Sequence, residues 1–122
     1  MKVLVVEDNY YTRDIILRRL ARYGHQVIAS SDGEQCLELV CAEQPNIVLL
    51  DIRLPMRSGF EIAQQLKADP RTRNIPIIAI TAYALEESRD QAMAAGCDDF
   101  EPKPVDFGRL LAKMKALVEG SK

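Results

Sequence analysis

Polar residues that close apolar runs are the places where this chain could do chemistry. Glu7 and Asp8 follow Val3 to Val6, Asp51 follows Ile47 to Leu50, and Thr81 follows Ile77 to Ile80. Lys103, with Pro104 behind it, follows the short stretch Asp98 to Glu101 after one intervening residue, Pro102. Carboxylates brought within a few ångströms of one another repel and raise at least one pKa, a cost that a bound cation removes. An all-oxygen site with few carboxylates suits Mg²⁺, which keeps several waters and borrows further ligands from a substrate phosphate. Lys103 would supply a compact positive charge and Thr81 a hydroxyl donor, the remaining groups that a phosphoryl oxygen needs. Asp51 then fits a nucleophile, since a carboxylate attacks phosphorus to give an acyl phosphate when neighbouring cations neutralise the developing charge.

Each of these residues has a plainer explanation when taken singly. An acidic pair after a strand commonly caps the following helix. Asp51 could be a turn residue ahead of Pro55, threonine is common at strand ends, and lysine usually sits on a solvated surface. The weight comes from conjunction: successive strand ends on one edge of one sheet all carry groups that a single reaction uses.

That conjunction depends on the elements that carry the residues. Short apolar runs rich in Val and Ile alternate with longer stretches of helical period, and there is no repeat, low-complexity segment or linker. Val3 to Val6, Val27 to Ala29, Ile47 to Leu50 and Ile77 to Ile80 are continuous rather than alternating, which predicts strands buried on both faces; a weaker fifth is expected over Asp98 to Glu101. Helices are expected over Thr12 to Tyr23, Glu34 to Ala42, Gly59 to Lys67, Glu86 to Ala95 and Phe107 to Val118. The last has the clearest apolar face, formed by Phe107, Leu110, Leu111, Met114, Leu117 and Val118, with Lys113 and Lys115 off it and Asp106 placed to cap the first turn. Gly24 and Gly96 stand where left-handed caps end helices, and Pro45 and Pro76 sit just before strands. Strand followed by helix, with right-handed crossovers, makes an α/β fold: a doubly wound parallel sheet covered by helices on both faces. In such sheets ligands bind outside the carboxyl ends of the strands, where Glu7, Asp8, Asp51, Thr81 and Lys103 all fall.

At these positions the sequence resembles the receiver domains of bacterial response regulators. Val5-Val6-Glu7-Asp8-Asn9, Asp51-Ile52-Arg53-Leu54-Pro55, Ile80-Thr81-Ala82 and Lys103-Pro104 after Gly96-Cys97-Asp98-Asp99-Phe100 come in the family's order and spacing, and the likeness covers essentially residues 1–122 as one receiver domain. The resemblance implies a flavodoxin-like sheet of five strands in the order 2-1-3-4-5 with five helices, an order for which a member of this family is a standard example. It implies that Asp51 is the phosphoacceptor, that Glu7, Asp8, Asp51 and the backbone carbonyl of Arg53 hold Mg²⁺ or Mn²⁺, and that Thr81, the Ala82 backbone and Lys103 contact the phosphoryl group. It implies a cis peptide at Lys103-Pro104, with the lysine aimed inward, and a switch involving Thr81 and Phe100. The donor would be a sensor histidine kinase or histidine phosphotransfer protein of a two-component phosphorelay. The readout would be altered affinity for a downstream protein, with homodimerisation open, through the face formed by the fourth helix, fifth strand and fifth helix. Such a protein assists its own phosphorylation and dephosphorylation without being an enzyme on a separate substrate.

The chain departs from the family pattern in two places. Leu54-Pro55-Met56-Arg57-Ser58-Gly59 stands where many receivers have Met-Pro and then Met-Asp-Gly, although Ser58 can still cap a helix. Phe100 stands where tyrosine is frequent and has no hydroxyl to change partners, so switching by rotation would rest on packing, and an ordinary core role is equally open. Arg53 and Tyr83, two positions beyond Asp51 and Thr81, are expected to flank the site and slow hydrolysis of the acyl phosphate. A haloacid-dehalogenase-type phosphatase also uses an aspartyl nucleophile but needs a second aspartate where Arg53 stands. A receiver reduced to an interaction module would typically lack Asp8, Asp51 or Lys103. A flavodoxin-type cofactor binder would need an anion-cradling loop where Glu7-Asp8-Asn9 repels anions.

Composition narrows the field further. A net charge of -2 gives no basic footprint, so neither nucleic acid nor an anionic membrane surface is an expected partner. Cys36, Cys41 and Cys97 form neither a disulfide framework nor a metal-ligand pattern and are expected to be reduced. The apolar run before Glu7 is too short for a signal peptide or a membrane span, so a cytoplasmic location is expected. His25, near a turn, is expected at the surface.

Overall fold

The computed structural model describes residues 1–54, 57–82 and 86–120. Strands and helices alternate as β1 (Lys2–Val6), α1 (Tyr10–Arg22), β2 (Gln26–Ser30), α2 (Cys36–Glu43), β3 (Ile47–Asp51), α3 (Gly59–Ala68), β4 (Ile77–Thr81), α4 (Glu86–Ala94), β5 (Asp99–Pro102) and α5 (Phe107–Gly120). All strand pairings are parallel, and the five strands lie in the order β2-β1-β3-β4-β5. The chain therefore reverses its direction of growth between β1 and β3, the central pair on which the candidate site stands.

Strand residues alternate between two cores, one on each face of the sheet. Val3, Val5, Ile47, Leu49, Ile78 and Ile80 meet Ile16 and Leu20 of α1 and Leu110 and Met114 of α5. Leu4, Val6, Val48, Leu50, Ile77 and Ala79 meet Val40 of α2, Ile62 and Leu66 of α3, and Ala92 of α4. Every residue of β3 and β4 is buried, which is why these strands read as unbroken apolar runs. Cys36 and Cys97 lie in the second of these cores. Burial pushes both thiols up to about 12, so they are protonated at neutral pH, and all three cysteines are free.

The punctuation of the elements follows local chemistry. Asn9 caps α1 by accepting from the Thr12 amide at 3.0 Å, which starts the helix at Tyr10 rather than Thr12. Asp32 accepts from the Glu34 amide at 3.0 Å in a turn, which delays α2 to Cys36. Asp106 accepts from the Arg109 amide at 2.9 Å and Ser58 from the Glu61 amide at 3.3 Å, the capping roles anticipated for both. Gly24 and Gly96 have φ of 85° and 104°, as left-handed caps require. His25 departs from expectation: it is half-buried, with Nδ1 3.1 Å from the N-terminal amino group, because β1 and β2 bring Met1 beside it. Among the described residues no helix is long and apolar enough to cross a membrane.

Candidate functional site

Sheet register delivers the chemistry-bearing residues to one edge. Val6 is level with Ser30 on one side and Leu50 on the other, Asp51 is level with Ile80, and Thr81 is level with Pro102. The ladder continues just past the strands: Glu7 N donates to Ser30 O at 3.0 Å, Ile52 N to Ile80 O at 3.1 Å, and Lys103 N to Thr81 O at 2.8 Å. Glu7, Asp51, Thr81 and Lys103 thus share the carboxyl end of the sheet on backbone that hydrogen bonds fix in place.

Their side chains converge. Carboxylate oxygens of Glu7, Asp8 and Asp51 all lie within 4.8 Å of one another. Glu7 and Asp51 are buried, at 2 % and 5 % exposure, while Asp8 is open to solvent. The Lys103 ammonium donates to Glu7 Oε1 in a short bond and to Asp51 Oδ2 at 3.2 Å. Asp51 Oδ1 accepts from the Arg53 amide at 2.9 Å, and Glu7 Oε2 accepts from the Asn9 amide at 3.2 Å.

The electrostatics of the cluster are unbalanced toward negative charge. Burial raises the Glu7 pKa and the neighbouring Asp51 raises it further, which outweighs the lowering by Lys103. Burial alone would lower the Lys103 pKa, but its bonds to Glu7 and its attraction to Asp51 raise it. A simple ion pair would lower its acid while raising its base. Glu7 goes the other way because it is buried and lies beside Asp51, with which it shares the one ammonium. Against three carboxylates a single ammonium leaves an excess of about two negative charges, and an all-oxygen donor set that opens to water on the Asp8 side fits a hard divalent cation.

The response regulator receiver domain family matches residues 3–115. The chain belongs to that family. It is 34% identical over 118 residues to the response regulator MprA of Mycolicibacterium vanbaalenii, covering 97% of this chain and 50% of that protein, so this receiver spans about half the length of that relative. It is 32% identical over 114 residues to the polar-differentiation response regulator DivK of Brucella anthropi, covering 93% of each. Among solved structures, the receiver domain of the sensor histidine kinase PA1611 from Pseudomonas aeruginosa superposes with a TM-score of 0.89 at 30% identity, covering 97% of each chain, and that structure has a magnesium ion coordinated in its active-site cleft. Membership places the chain among the receivers of two-component systems and, in general terms, among phosphoacceptors.

The remaining positions singled out in this receiver take varied places. Thr81 ends β4 and is 1 % exposed, while Ala82 beside it is exposed. The Lys103-Pro104 peptide is cis. Arg53 is exposed, two residues beyond Asp51, with its amide turned onto the Asp51 carboxylate. Phe100 is buried in the core that includes Ala79, Ala92 and Ala95, beneath α4. Tyr83, Pro55 and Met56 lie outside the described residues.

Other residues support the site without having been singled out for it. Arg13 donates from Nη1 to the carbonyls of Glu7 at 2.9 Å and Asp8 at 3.4 Å, pinning the turn that presents both carboxylates. Its place one turn into α1 was legible, but a guanidinium folding back onto a turn has no sequence signature. Gly59 begins α3 where any Cβ would stand 2.5 Å from Asp51 O and 2.6 Å from Ile52 Cα, so only glycine lets the helix start against the end of β3. Its amide donates to Ile52 O at 2.8 Å, closing the loop that follows the candidate phosphoacceptor.

Proposed function

We propose that this receiver accepts a phosphoryl group on Asp51 from a phosphohistidine of a sensor kinase or histidine phosphotransfer protein, and that the modified state changes its affinity for a downstream protein. The observation that carries this is the Asp51 carboxylate itself: buried, oriented by the Arg53 amide on one oxygen and by Lys103 on the other, with Glu7 and Asp8 oxygens within 4.8 Å. In the transfer, an Asp51 oxygen forms a bond to phosphorus as the donor's P–N bond breaks, and the departing imidazole takes a proton. Lys103 sits where it can follow negative charge from the carboxylate onto the phosphoryl oxygens, Thr81 offers a hydroxyl from the adjacent strand end, and the exposed Ala82 amide is a further donor. Glu7, Asp8, Asp51 and the Arg53 carbonyl would hold Mg²⁺, with Mn²⁺ as a substitute. When bound, the cation offsets the excess negative charge of the cluster and of the incoming phosphoryl group. The chain thereby assists its own phosphorylation and later dephosphorylation and turns over no separate substrate.

Two features support α4, β5 and α5 as the responding face. Phe100 of β5 packs in the core under α4, so inward movement of Thr81 on the neighbouring strand reaches α4 by packing. α4 is held by small side chains, Ala92 and nearby Ala95, while Met93 is 43% exposed, which makes it the element most easily shifted. Incubation with a small phosphodonor, followed by intact mass, tests the assignment. One acid-labile phosphoryl adduct is expected with Mg²⁺, and none with chelator or in Asp51→Asn; an adduct of equal yield in Asp51→Asn refutes it.

A further inference from the structure

Glu101 is a charged residue in the middle of a four-residue strand, and it is 0% exposed. Its carboxylate accepts from Arg109 Nε at 3.0 and 3.1 Å, from Arg109 Nη2 at 2.6 Å, and from Lys113 Nζ at 3.0 Å. The Asp106 amide points at the same carboxylate from 3.4 Å. Lys113 also donates to the carbonyl of Phe100 at 2.6 Å, and its ammonium lies 3.9 Å from Asp99. Buried ion pairs are often replaceable by apolar residues of similar volume without loss of stability, so stability alone does not account for an acid at this place.

Its position relative to Lys103 does. Every partner of the Glu101 carboxylate lies on α5 or in its cap, so the carboxylate ties the end of β5 to the start of α5 across residues 102–105. Lys103, which reaches Glu7 and Asp51, is on that short bridge. On its α1 side Val105 packs against the core that includes Ile16, and a groove of about 240 Å³ lies between Thr12, Ile15 and Ile16 and the segment from Lys103 to Phe107. Beyond the bridge, the Arg19 guanidinium stacks 4.5 Å over the Phe107 ring and fixes the start of α5 to α1. The Lys103 amide on Thr81 O at 2.8 Å holds the bridge's backbone to β4, and the Glu101 network adds a side-chain hold between the end of β5 and the start of α5.

We propose that Glu101, held by Arg109 and Lys113, is a positioning residue that keeps the Lys103 ammonium on Asp51 for phosphoryl transfer. It rests on the phosphoacceptor assignment above and extends the site to a second layer on α5. The experiment is a double-mutant cycle: rates of phosphorylation by phosphoramidate with Mg²⁺ for wild type, Glu101→Gln, Lys103→Ala and the double variant. Glu101→Gln is expected to slow the reaction about tenfold, as misplacement of a reacting group does, and to add no further slowing once Lys103 is gone. Metal-free Glu101→Gln is also expected to move the Lys103 side-chain ammonium signal in NMR spectra. An unchanged rate, an equal slowing in the Lys103→Ala background, or an unmoved Lys103 signal overturns the proposal. Arg109→Gln, at a side chain that is 47% exposed, gives the same comparison if Glu101→Gln does not fold. If the wild type takes no phosphoryl group, the phosphoacceptor assignment fails, and the Lys103 signal alone then decides whether Glu101 positions it.

Discussion

The two oxygens of Asp51 are held differently, one by a backbone amide two residues on and the other by a lysine from a distant strand end. The amide fixes how the carboxylate is turned, and the lysine sets a positive charge beside its other oxygen. Arg53, which supplies that amide, projects an exposed side chain beside the site, and Tyr83 occupies the matching place after Thr81 in the sequence. We propose that bulk at these two sequence positions slows attack by water, so replacing both with alanine is expected to shorten the lifetime of the acyl phosphate about tenfold, or ~1.4 kcal/mol of barrier. Decay of the phosphorylated species followed by mass checks this, and an unchanged lifetime removes both residues from the account. At this scale the sequence was informative where chemistry coincides with strand ends: Glu7 with Asp8, Asp51 and Thr81 close apolar runs, and Lys103 follows the short fifth strand. It was silent on Glu101, whose partners Arg109 and Lys113 are on another element, and on Arg13, whose role depends on a side chain folding back over a turn.

Elements were legible to within a residue or two because burial and capping are local. β3 and β4 are buried along their whole length and read as unbroken Val, Ile and Leu. Boundaries slipped where a side chain turned back on the backbone, as with Asn9 before α1 and Asp32 before α2. At β5 the strand starts at Asp99 because the Asp98 carboxylate is turned aside to accept from the Ile77 amide and Lys67. The junction of β3 and α3 shows how an element boundary serves the site. Gly59→Ala places a methyl group 2.5 Å from Asp51 O, against backbone that cannot move without moving the phosphoacceptor. The expected cost is ~1–3 kcal/mol in urea denaturation, together with slower phosphorylation; wild-type stability and rate would show that α3 has room to recede.

The whole molecule stacks two cores against one sheet, with α1 and α5 on one face and α2, α3 and α4 on the other. The Glu101 network joins β5 to α5 within the first of these layers. Burial alone would raise the Glu101 pKa, but the bonds from Arg109 and Lys113 outweigh it and hold the carboxyl below its ordinary value. A lowered pKa stabilises the fold above the ordinary glutamate value, and that contribution is lost as pH falls through the folded one. Urea denaturation from pH 7 to pH 3 is therefore expected to show stability falling on the acid side, at roughly pH 4 and below. Glu101→Gln is expected to cost about 2 kcal/mol at neutral pH and to flatten this acid limb; an identical limb in the variant would mean that other carboxylates govern it.

The central claim is that the phosphoryl group goes to Asp51. Borohydride reduction of the phosphorylated chain converts an aspartyl phosphate to homoserine, which peptide mass spectrometry can place. Homoserine at position 51 alone is the predicted result. Homoserine at another acidic residue, or a phosphoryl group that resists borohydride, would contradict the account.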